Sequence, residues 1–204
     1  MNLTAIIDYK MGNLDSVKRA VEECGGKAII TNNSTDIEIA ARIILPGVGA
    51  FPTGMENLIN LNLLDVIKEQ ALEKKIPFLG ICLGMQLIAT KGFEFNETEG
   101  LNLIAGEVIK LQSHNGERIP HIGWNEIHFI QNSKLLDGII NGTDFYFVHS
   151  YHFVCENEKN IIAKTPYCGE FNSIIGKDNI WGTQFHPEKS QKYGFKLLKN
   201  FLNM

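Results

Sequence analysis

The chain has 204 residues, of which 44% are hydrophobic and 21% are charged, as in ordinary globular proteins. This length suffices for one domain with a full hydrophobic core, and a single domain over residues 1–204 is expected. The 19 Lys and Arg residues against 23 Asp and Glu residues give a net charge of −4 with no basic run, which argues against a nucleic-acid partner.

The amino-terminal segment predicts neither export nor a membrane anchor. Residues 1–8 lack the charged region and long apolar stretch of a signal peptide, and no apolar run approaches the ~20 residues of a membrane-spanning helix. The cysteines at 24, 82, 155 and 168 form no CxxC pair, which argues against a zinc ribbon or a redox pair, and no metal or cofactor is expected. Reduced thiols in a cytoplasmic protein are expected.

The first part of the chain alternates short apolar strands with helices. Strands are predicted over residues 3–8, 27–31 and 42–45, and helices over 14–24 and 35–41. Gly25 and Gly26 end the first helix, and the helical pattern of residues 54–75 is broken near 60–62. This alternation predicts an α/β fold with a doubly wound, mostly parallel sheet.

A glycine-flanked cysteine follows the next predicted strand, residues 76–79. The sequence Gly80-Ile81-Cys82-Leu83-Gly84 precedes good helix formers over 85–89, and a strand, a flanked nucleophile and a helix are typical of a nucleophile elbow. Glycine tolerates so sharp a turn, and a helix N-terminus favours the thiolate. Alternatively, Cys82 is a small residue packed inside the sheet, and the pentapeptide alone leaves both interpretations open.

Three polar or glycine-rich segments are expected to meet at one edge of this sheet. Doubly wound sheets carry their sites at the carboxyl ends of the strands. Asp8, the loop Gly47–Gly49 and Cys82 all follow predicted strands. They are therefore expected to lie along the same edge.

The pattern changes over residues 95–167. Segments 107–111 and 125–130 alternate polar and apolar residues, and 145–148 and 151–154 are apolar, as in antiparallel strands. We expect these strands to extend the parallel core, not to form a second domain. Residues 173–176 and 180–184 predict a hairpin, and an amphipathic helix that carries Tyr193, Leu197 and Phe201 closes the chain.

The segment after this hairpin supplies a candidate partner for Cys82. Pro187 biases His186 towards an extended conformation, in which residues two apart project to the same side. Glu188 can therefore orient the His186 ring, as a Cys–His–carboxylate triad requires. The alternative for His-Pro-Glu alone is a surface turn. No other histidine is followed two residues later by a carboxylate.

These motifs together resemble a known family. Residues 77–86 and 184–188 are similar to those of class I (triad) glutamine amidotransferases. Within that class, residues 7–14, 45–51, 120–125, 147–151 and 186–191 resemble the glutaminase subunits of imidazole glycerol phosphate synthases. The matches span nearly the whole chain, and the resemblance implies a flavodoxin-like fold. Lys10 departs from the family, which usually has Gly there, but it lies outside the triad.

The resemblance implies a role for each matching residue. Cys82 would attack the side-chain amide of L-glutamine, His186 would carry the proton, and Glu188 would orient His186. Backbone N–H groups of Leu83 and of the loop Gly47-Val48-Gly49 would form the oxyanion hole. The loop's glycines would allow a peptide flip, so this hole is expected to assemble when a partner signals.

Gln86 and Glu94 match positions that bind the amino-acid end of the substrate, and Ser150 and Tyr151 would add backbone contacts to it. Their alternative interpretations are a helix-surface amide, a solvated carboxylate and ordinary residues at a strand end.

The family also implies a partner, because ammonia passes through a tunnel to a synthase subunit. For imidazole glycerol phosphate synthase this partner is a (β/α)8 barrel in a heterodimer. Asn13, His121, Trp124 and Lys189 match positions near that interface. Aromatic side chains suit a partner surface, although Trp124 filling the core under a loop is the competing interpretation.

Three alternative functions remain open from the sequence. Residues 90–100 and 150–153 also resemble paralogous glutaminases that supply ammonia to an N-acetyl sugar amidotransferase in surface-polysaccharide biosynthesis. A non-catalytic subunit on the same fold would not need Cys82, His186 and Glu188 together. A cysteine hydrolase for another amide would use the same three residues.

Overall fold

The computed structural model describes residues 2–204. This part of the chain contains thirteen strands and six α-helices. Strands and helices alternate along its first half, whereas its second half consists mostly of strands. The first half contains β1 (Leu3–Ile7), α1 (Leu14–Glu23), β2 (Lys27–Thr31), α2 (Ser34–Glu38), β3 (Arg42–Gly47), α3 (Phe51–Asn60), α4 (Leu64–Lys68) with a π-helical turn over Glu69–Glu73, β4 (Phe78–Cys82) and α5 (Leu83–Leu87). The second half contains β5 (Lys91–Gly92), β6 (Thr98–Glu99), β7 (Gly106–Lys110), β8 (His121–Phe129), β9 (Thr143–His149), β10 (Tyr151–Cys155), β11 (Ile161–Thr165), β12 (Phe171–Lys177), β13 (Ile180–Thr183) and α6 (Gln191–Leu202).

Nine of these strands form the main sheet, in the order β2-β1-β3-β4-β13-β12-β11-β8-β9. The first five pair in parallel and the other four add antiparallel strands. Every residue of β3 and β4 is buried, because helices cover both faces of the parallel half. The predicted doubly wound α/β fold with added antiparallel strands is confirmed.

The two faces of the sheet carry separate hydrophobic clusters. Alternate residues of a strand point to opposite faces, and in β1 Ala5 and Ile7 join one cluster while Ile6 joins the other. Helices α2 to α5 cover the first face, and α1 and α6 cover the second. No helix within residues 2–204 is long and apolar enough to cross a membrane.

The other four strands form a second, smaller sheet, in the order β10-β7-β5-β6. The predicted strands 107–111 and 151–154 belong to this small sheet and not to the extension of the main one. Their side chains explain the difference: Val108 and Phe153 pack in the cluster that contains α3 and α5, whereas Phe145 and Phe147 of β9 pack against the other face. The chain changes sheets at Ser150, between β9 and β10.

Several predicted boundaries differ from the observed ones near the site. Helix α2 ends at Glu38 and not at residue 41, because Ala41 N donates to Leu3 O and leads directly into β3. Strand β4 starts at Phe78 and continues to Cys82, and α5 begins at Leu83. Cys82 is thus the last residue of a buried strand and the residue before a helix.

Candidate active site

Cys82 lies on a sharp turn between β4 and α5. Its φ of 53° is in the left-handed region that non-glycine residues rarely occupy. The turn is tightly packed, because a Cβ at Gly80 would lie 2.6 Å from Gly84 O and a Cβ at Gly84 would overlap Leu45 O. Both glycines are therefore required by close backbone approach, and the strained residue between them has the conformation of a nucleophile elbow.

His186 and Glu188 form a buried pair beside this turn. His186 follows β13, which pairs in parallel with β4, and its Nδ1 lies 2.8 Å from Glu188 Oε1. Both side chains are 3% exposed. The backbone of His186 is held on both sides, since its N–H donates to Tyr146 O at 2.9 Å and its carbonyl accepts from Ser190 Oγ at 2.7 Å.

The charges around His186 favour its protonated form. Burial lowers its pKa, but negative charge at Cys82 and the hydrogen bond and charge of Glu188 outweigh burial and raise the pKa well above its usual value. His186 Nε2, the ring nitrogen not used by Glu188, makes no hydrogen bond to any described residue. The pair thus leaves one ring nitrogen free for proton transfer near the thiol.

Gln184, for which no role was predicted, also contacts the cysteine. Its Nε2 donates to Cys82 Sγ at 3.8 Å, and its Oε1 accepts from Gln86 Nε2 at 3.2 Å. Gln86 Nε2 also donates to Tyr151 O at 2.8 Å. Residues 184 and 186 project to the same side of an extended segment, so the alternation that predicts a role for Glu188 would also have identified Gln184.

The glycine loop begins level with the nucleophile. Gly47 ends β3 and pairs with Cys82 in the register of β3 and β4. A Cβ at Gly47 would overlap the Tyr9 hydroxyl, which is buried and without a hydrogen-bond partner among residues 2–204. Val48 is exposed, and Gly49 has a φ of 112°. The structure therefore brings the backbone of this loop beside Cys82 and Leu83, and places Tyr9 next to it.

The other predicted substrate residues are held by contacts with neighbouring segments. Glu94 Oε2 accepts from Phe51 N at 2.8 Å, at the start of α3. Burial raises the pKa of the Tyr151 phenol, and the nearby Glu94 charge raises it further. Ser150 O accepts from Leu111 N at 2.9 Å. Glu94 is thus tied to the start of α3 and is not a freely solvated carboxylate.

Of the residues predicted near a partner interface, three are exposed. Trp124 is 48% exposed and its ring lies 6.1 Å from that of Tyr146. Lys189 Nζ lies 6.0 Å from the Tyr146 ring centroid. We refer to Trp124, Tyr146 and Lys189 as the aromatic face. Asn13 is exposed and caps α1 by accepting from Ser16 N.

His121, the fourth of these residues, lies below the surface. Its side chain is 3% exposed, and its ring stacks on that of Tyr167 at a centroid distance of 3.9 Å. It therefore presents no surface for direct contact with a partner.

Sites of other kinds are not visible near the triad. Within residues 2–204, no group of three or more His, Cys, Asp or Glu side chains is arranged to hold a metal ion. A surface cavity of about 580 Å³ lies beside Cys24 and Arg42. Its lining includes Asn2, just before β1, so it lies at the opposite end of the strands from Cys82.

Comparison with known proteins identifies the family. A model of class-I glutamine amidotransferases matches residues 5–204. The imidazole glycerol phosphate synthase subunit HisH 2 of Methanococcus maripaludis is 48% identical over 200 residues, which cover 98% of each chain. The subunit HisH of Aquifex aeolicus is 49% identical over 199 residues, which cover 97% of this chain and 95% of that protein.

Solved structures agree on the fold. A crystal structure of a glutamine amidotransferase superposes with a TM-score of 0.77 at 15% identity and covers 98% of this chain and 99% of the other. PurLQS from Thermotoga maritima superposes with a TM-score of 0.73 at 18% identity, over 99% and 98% of the two chains. The chain belongs to the class-I glutamine amidotransferases and, within them, to the family of imidazole glycerol phosphate synthase HisH subunits.

Proposed function

We propose that this chain is the glutaminase subunit of an imidazole glycerol phosphate synthase, which hydrolyses L-glutamine and passes the ammonia to a synthase subunit for histidine biosynthesis. The observation that carries the proposal is the buried pair His186–Glu188, 2.8 Å apart, beside a cysteine held in a strained elbow. The similarity to HisH subunits over nearly the whole chain supports the same activity.

In the first half of the reaction, Cys82 Sγ attacks the side-chain carbonyl carbon of glutamine. The C=O π electrons move to oxygen, and backbone N–H groups of Leu83 and of the Gly47-Val48-Gly49 loop stabilise that oxyanion. When the tetrahedral intermediate collapses, the C–N bond breaks and His186 Nε2 donates its proton to the leaving nitrogen. The products are ammonia and a thioester on Cys82.

In the second half, His186 acts as a base. It removes a proton from water as the oxygen attacks the thioester carbonyl, and the C–S bond then breaks to release glutamate and the Cys82 thiolate. Glu188 accepts the Nδ1–H hydrogen bond throughout and stabilises the positive ring. Gln86 and Glu94, with the backbone at Ser150 and Tyr151, would hold the amino-acid end of the substrate.

Replacement of the nucleophile tests this chemistry. Cys82→Ala should abolish glutamine-dependent synthesis and leave synthesis from supplied ammonium intact, because only the first needs the thioester. Cys24→Ala is the matched control, since Cys24 hydrogen-bonds Phe195 O far from the triad. Glutamine turnover by Cys82→Ala would contradict the proposal. Labelling of Cys82 by a glutamine-directed alkylating analogue should distinguish a glutaminase from a hydrolase of another amide.

The partner is proposed to be a (β/α)8-barrel synthase subunit that docks on the aromatic face and near Asn13. Exposed aromatic residues are frequent anchors of interfaces. Trp124→Ala should therefore weaken binding of the barrel by roughly tenfold or more in a titration, whereas Phe95→Ala, which removes an exposed ring elsewhere, should not. Equal affinity of both variants would place the interface elsewhere.

The acceptor of ammonia is tested with two purified partners. Strong stimulation of glutaminase activity by the barrel subunit with its nucleotide substrate is expected. Stimulation only by an N-acetyl sugar amidotransferase would retain the triad chemistry and contradict the role in histidine biosynthesis.

All four cysteines are free thiols, which supports our proposal of a cytoplasmic location.

A further inference from the structure

Two buried histidines outside the triad lie on paired strands. His121 begins β8 and His149 ends β9, and the two are directly opposite each other in the register of these strands. His121 Nδ1 lies 3.1 Å from His149 Nε2, and both side chains are at most 6% exposed. The mechanism above uses neither of them.

The hydrogen bond between His149 and Tyr151 O determines which ring nitrogen of His149 carries the proton. His149 Nδ1 lies 2.9 Å from Tyr151 O, and a carbonyl oxygen can only accept, so Nδ1 must carry the hydrogen. In a neutral ring Nε2 is then an acceptor. His121 must therefore donate to it from Nδ1.

The contact between Asn125 and His121 independently gives the same tautomer for His121. Asn125 Oδ1 accepts from Glu126 N at 2.9 Å, which leaves the Asn125 amide nitrogen facing His121 Nε2 at 3.3 Å. That nitrogen can only donate, so His121 Nε2 accepts and its hydrogen is on Nδ1. Burial lowers the pKa of His121 to about 4 and that of His149 to about 3, so both rings are neutral at pH 7.

The hydrogen bonds therefore run in one direction, from Asn125 through His121 and His149 to the Tyr151 carbonyl. Two donors converge on that carbonyl, because Gln86 Nε2 lies 2.8 Å from the same oxygen. Gln86 also donates to Gln184, which donates to Cys82 Sγ. Such chains polarise and reinforce one another in a buried setting.

We propose that His149, held in its tautomer by His121, is a positioning residue that fixes the Tyr151 carbonyl and thereby Gln86 for binding of the amino-acid end of glutamine. The proposal rests on the proposed function, since it concerns the same substrate. His149 acts through Tyr151 and Gln86 and touches neither the substrate nor the reacting atoms.

Three variants of the full chain test the proposal, alone and with the synthase partner. His149→Phe removes the donor to Tyr151 O, and the KM for glutamine should rise about tenfold, the effect of one lost hydrogen bond, with kcat within about threefold. His149→Asn places an amide nitrogen close to the position of Nδ1 and should restore KM to within about threefold. His128→Phe, the same substitution at a half-exposed histidine of β8, should match the wild type.

A purely structural role would give a different result. If His149→Phe lowered the melting temperature but left KM and kcat unchanged, or if His149→Asn raised KM as much as His149→Phe, the proposal would be overturned. Absence of glutaminase activity in the wild-type chain with its partner would instead refute the proposed function.

The tautomers provide a test that needs neither activity nor a folded variant. Long-range 1H–15N spectra of wild-type protein labelled with 15N-histidine should show two neutral rings with the hydrogen on Nδ1, for His121 and His149. A hydrogen on Nε2 of His149, or a positively charged ring at pH 7, would overturn the proposal.

Discussion

Glu188 is the residue whose charge matters most for the proposed proton carrier. It is buried with His186 and lies 2.8 Å from its Nδ1. Glu188→Gln keeps an oxygen that can accept from Nδ1 but removes the negative charge, so the pKa of His186 should fall. We expect kcat for glutamine to fall roughly 10²-fold or more, with little change in KM.

The matched control for this change is Glu170→Gln. Glu170 is half-exposed and paired with Lys164 on the surface, where such pairs contribute little. Its kcat should equal that of the wild type. Full activity of Glu188→Gln would show that His186 needs only a hydrogen-bond acceptor and not a charge.

At the scale of residues, local spacing identified Cys82, His186 and Glu188 as candidates, and the two motifs had to be taken together to indicate a triad. Each has a spacing signature, in the flanking glycines and in the two-residue repeat of an extended segment. Tyr9 and His149 have none, because Tyr9 meets Gly47 and His149 meets His121 only through the pairing of separate strands. The exposure of a side chain could not be predicted from local sequence either, since His121, predicted near a partner interface, is buried.

The elbow between β4 and α5 gives a prediction at the scale of elements. Gly84→Ala would place a Cβ on the carbonyl oxygen of Leu45, which is backbone of β3 and cannot rotate away. We expect loss of at least about 2 kcal/mol of unfolding free energy, as in overpacked cores, and reduced glutaminase activity, since Cys82 lies on the same turn. Chemical denaturation measures the first and a turnover assay the second.

Gly54→Ala is the control for this prediction, because it is the same substitution in the buried face of α3. The atoms nearest to its Cβ would be those of the flexible side chains of Leu87 and Leu83, at 3.2 to 3.4 Å. The gain in helix propensity of up to about 1 kcal/mol should offset that tight contact. A Gly84→Ala protein as stable as Gly54→Ala would mean that β3 and α5 can separate at little cost.

The strands themselves were predicted more reliably than the strands with which they pair. The parallel strands β1, β3 and β4 were identified by apolar runs bounded by turns, since burial on both faces leaves a strong signal. Nothing local distinguishes β7 and β10, which form a separate sheet, from β8 and β9, which extend the main one. That choice depends on which face Phe153 and Phe147 cover, and therefore on the packing of distant helices.

At the scale of the whole molecule, the site depends on one strand pairing. β13 returns to lie parallel to β4, with Gly182 level with Gly80, and this places His186 beside Cys82. The strands β5 to β12 separate the two segments in sequence. The motifs around Cys82 and His186 predicted that these two segments meet. The sheet order explains how they meet, because β4 has β3 on one side and β13 on the other.

The buried histidines predict how the stability of the molecule depends on pH. Burial lowers the pKa of His121 and His152 to about 4 and that of His149 to about 3, below the ordinary value of about 6.5 that applies in the unfolded chain. The unfolded state therefore binds more protons below pH 6.5. The stability from these neutral rings is complete above pH 6.5 and is lost as the pH falls towards 4.

Two other groups with shifted pKa values, His186 and Glu117, act mainly outside this pH range. His186, whose pKa is raised, is protonated in both states below pH 6.5 and contributes no slope there. Its stabilisation is lost only as the pH rises through its raised value. Glu117, whose pKa is lowered to about 2 by hydrogen bonds from backbone N–H groups, affects stability only as the pH falls below about 4.5.

Urea unfolding between pH 6.5 and 5 measures this dependence. Each histidine that stays neutral in the native state should lower the unfolding free energy by about 1.4 kcal/mol per pH unit. His149→Asn removes one titrating group and should reduce the slope by about that amount. A flat profile, or a slope that His149→Asn leaves equal to that of the wild type, would mean that the buried rings take up protons in the native state and that the chain from Asn125 to Tyr151 is not held neutral.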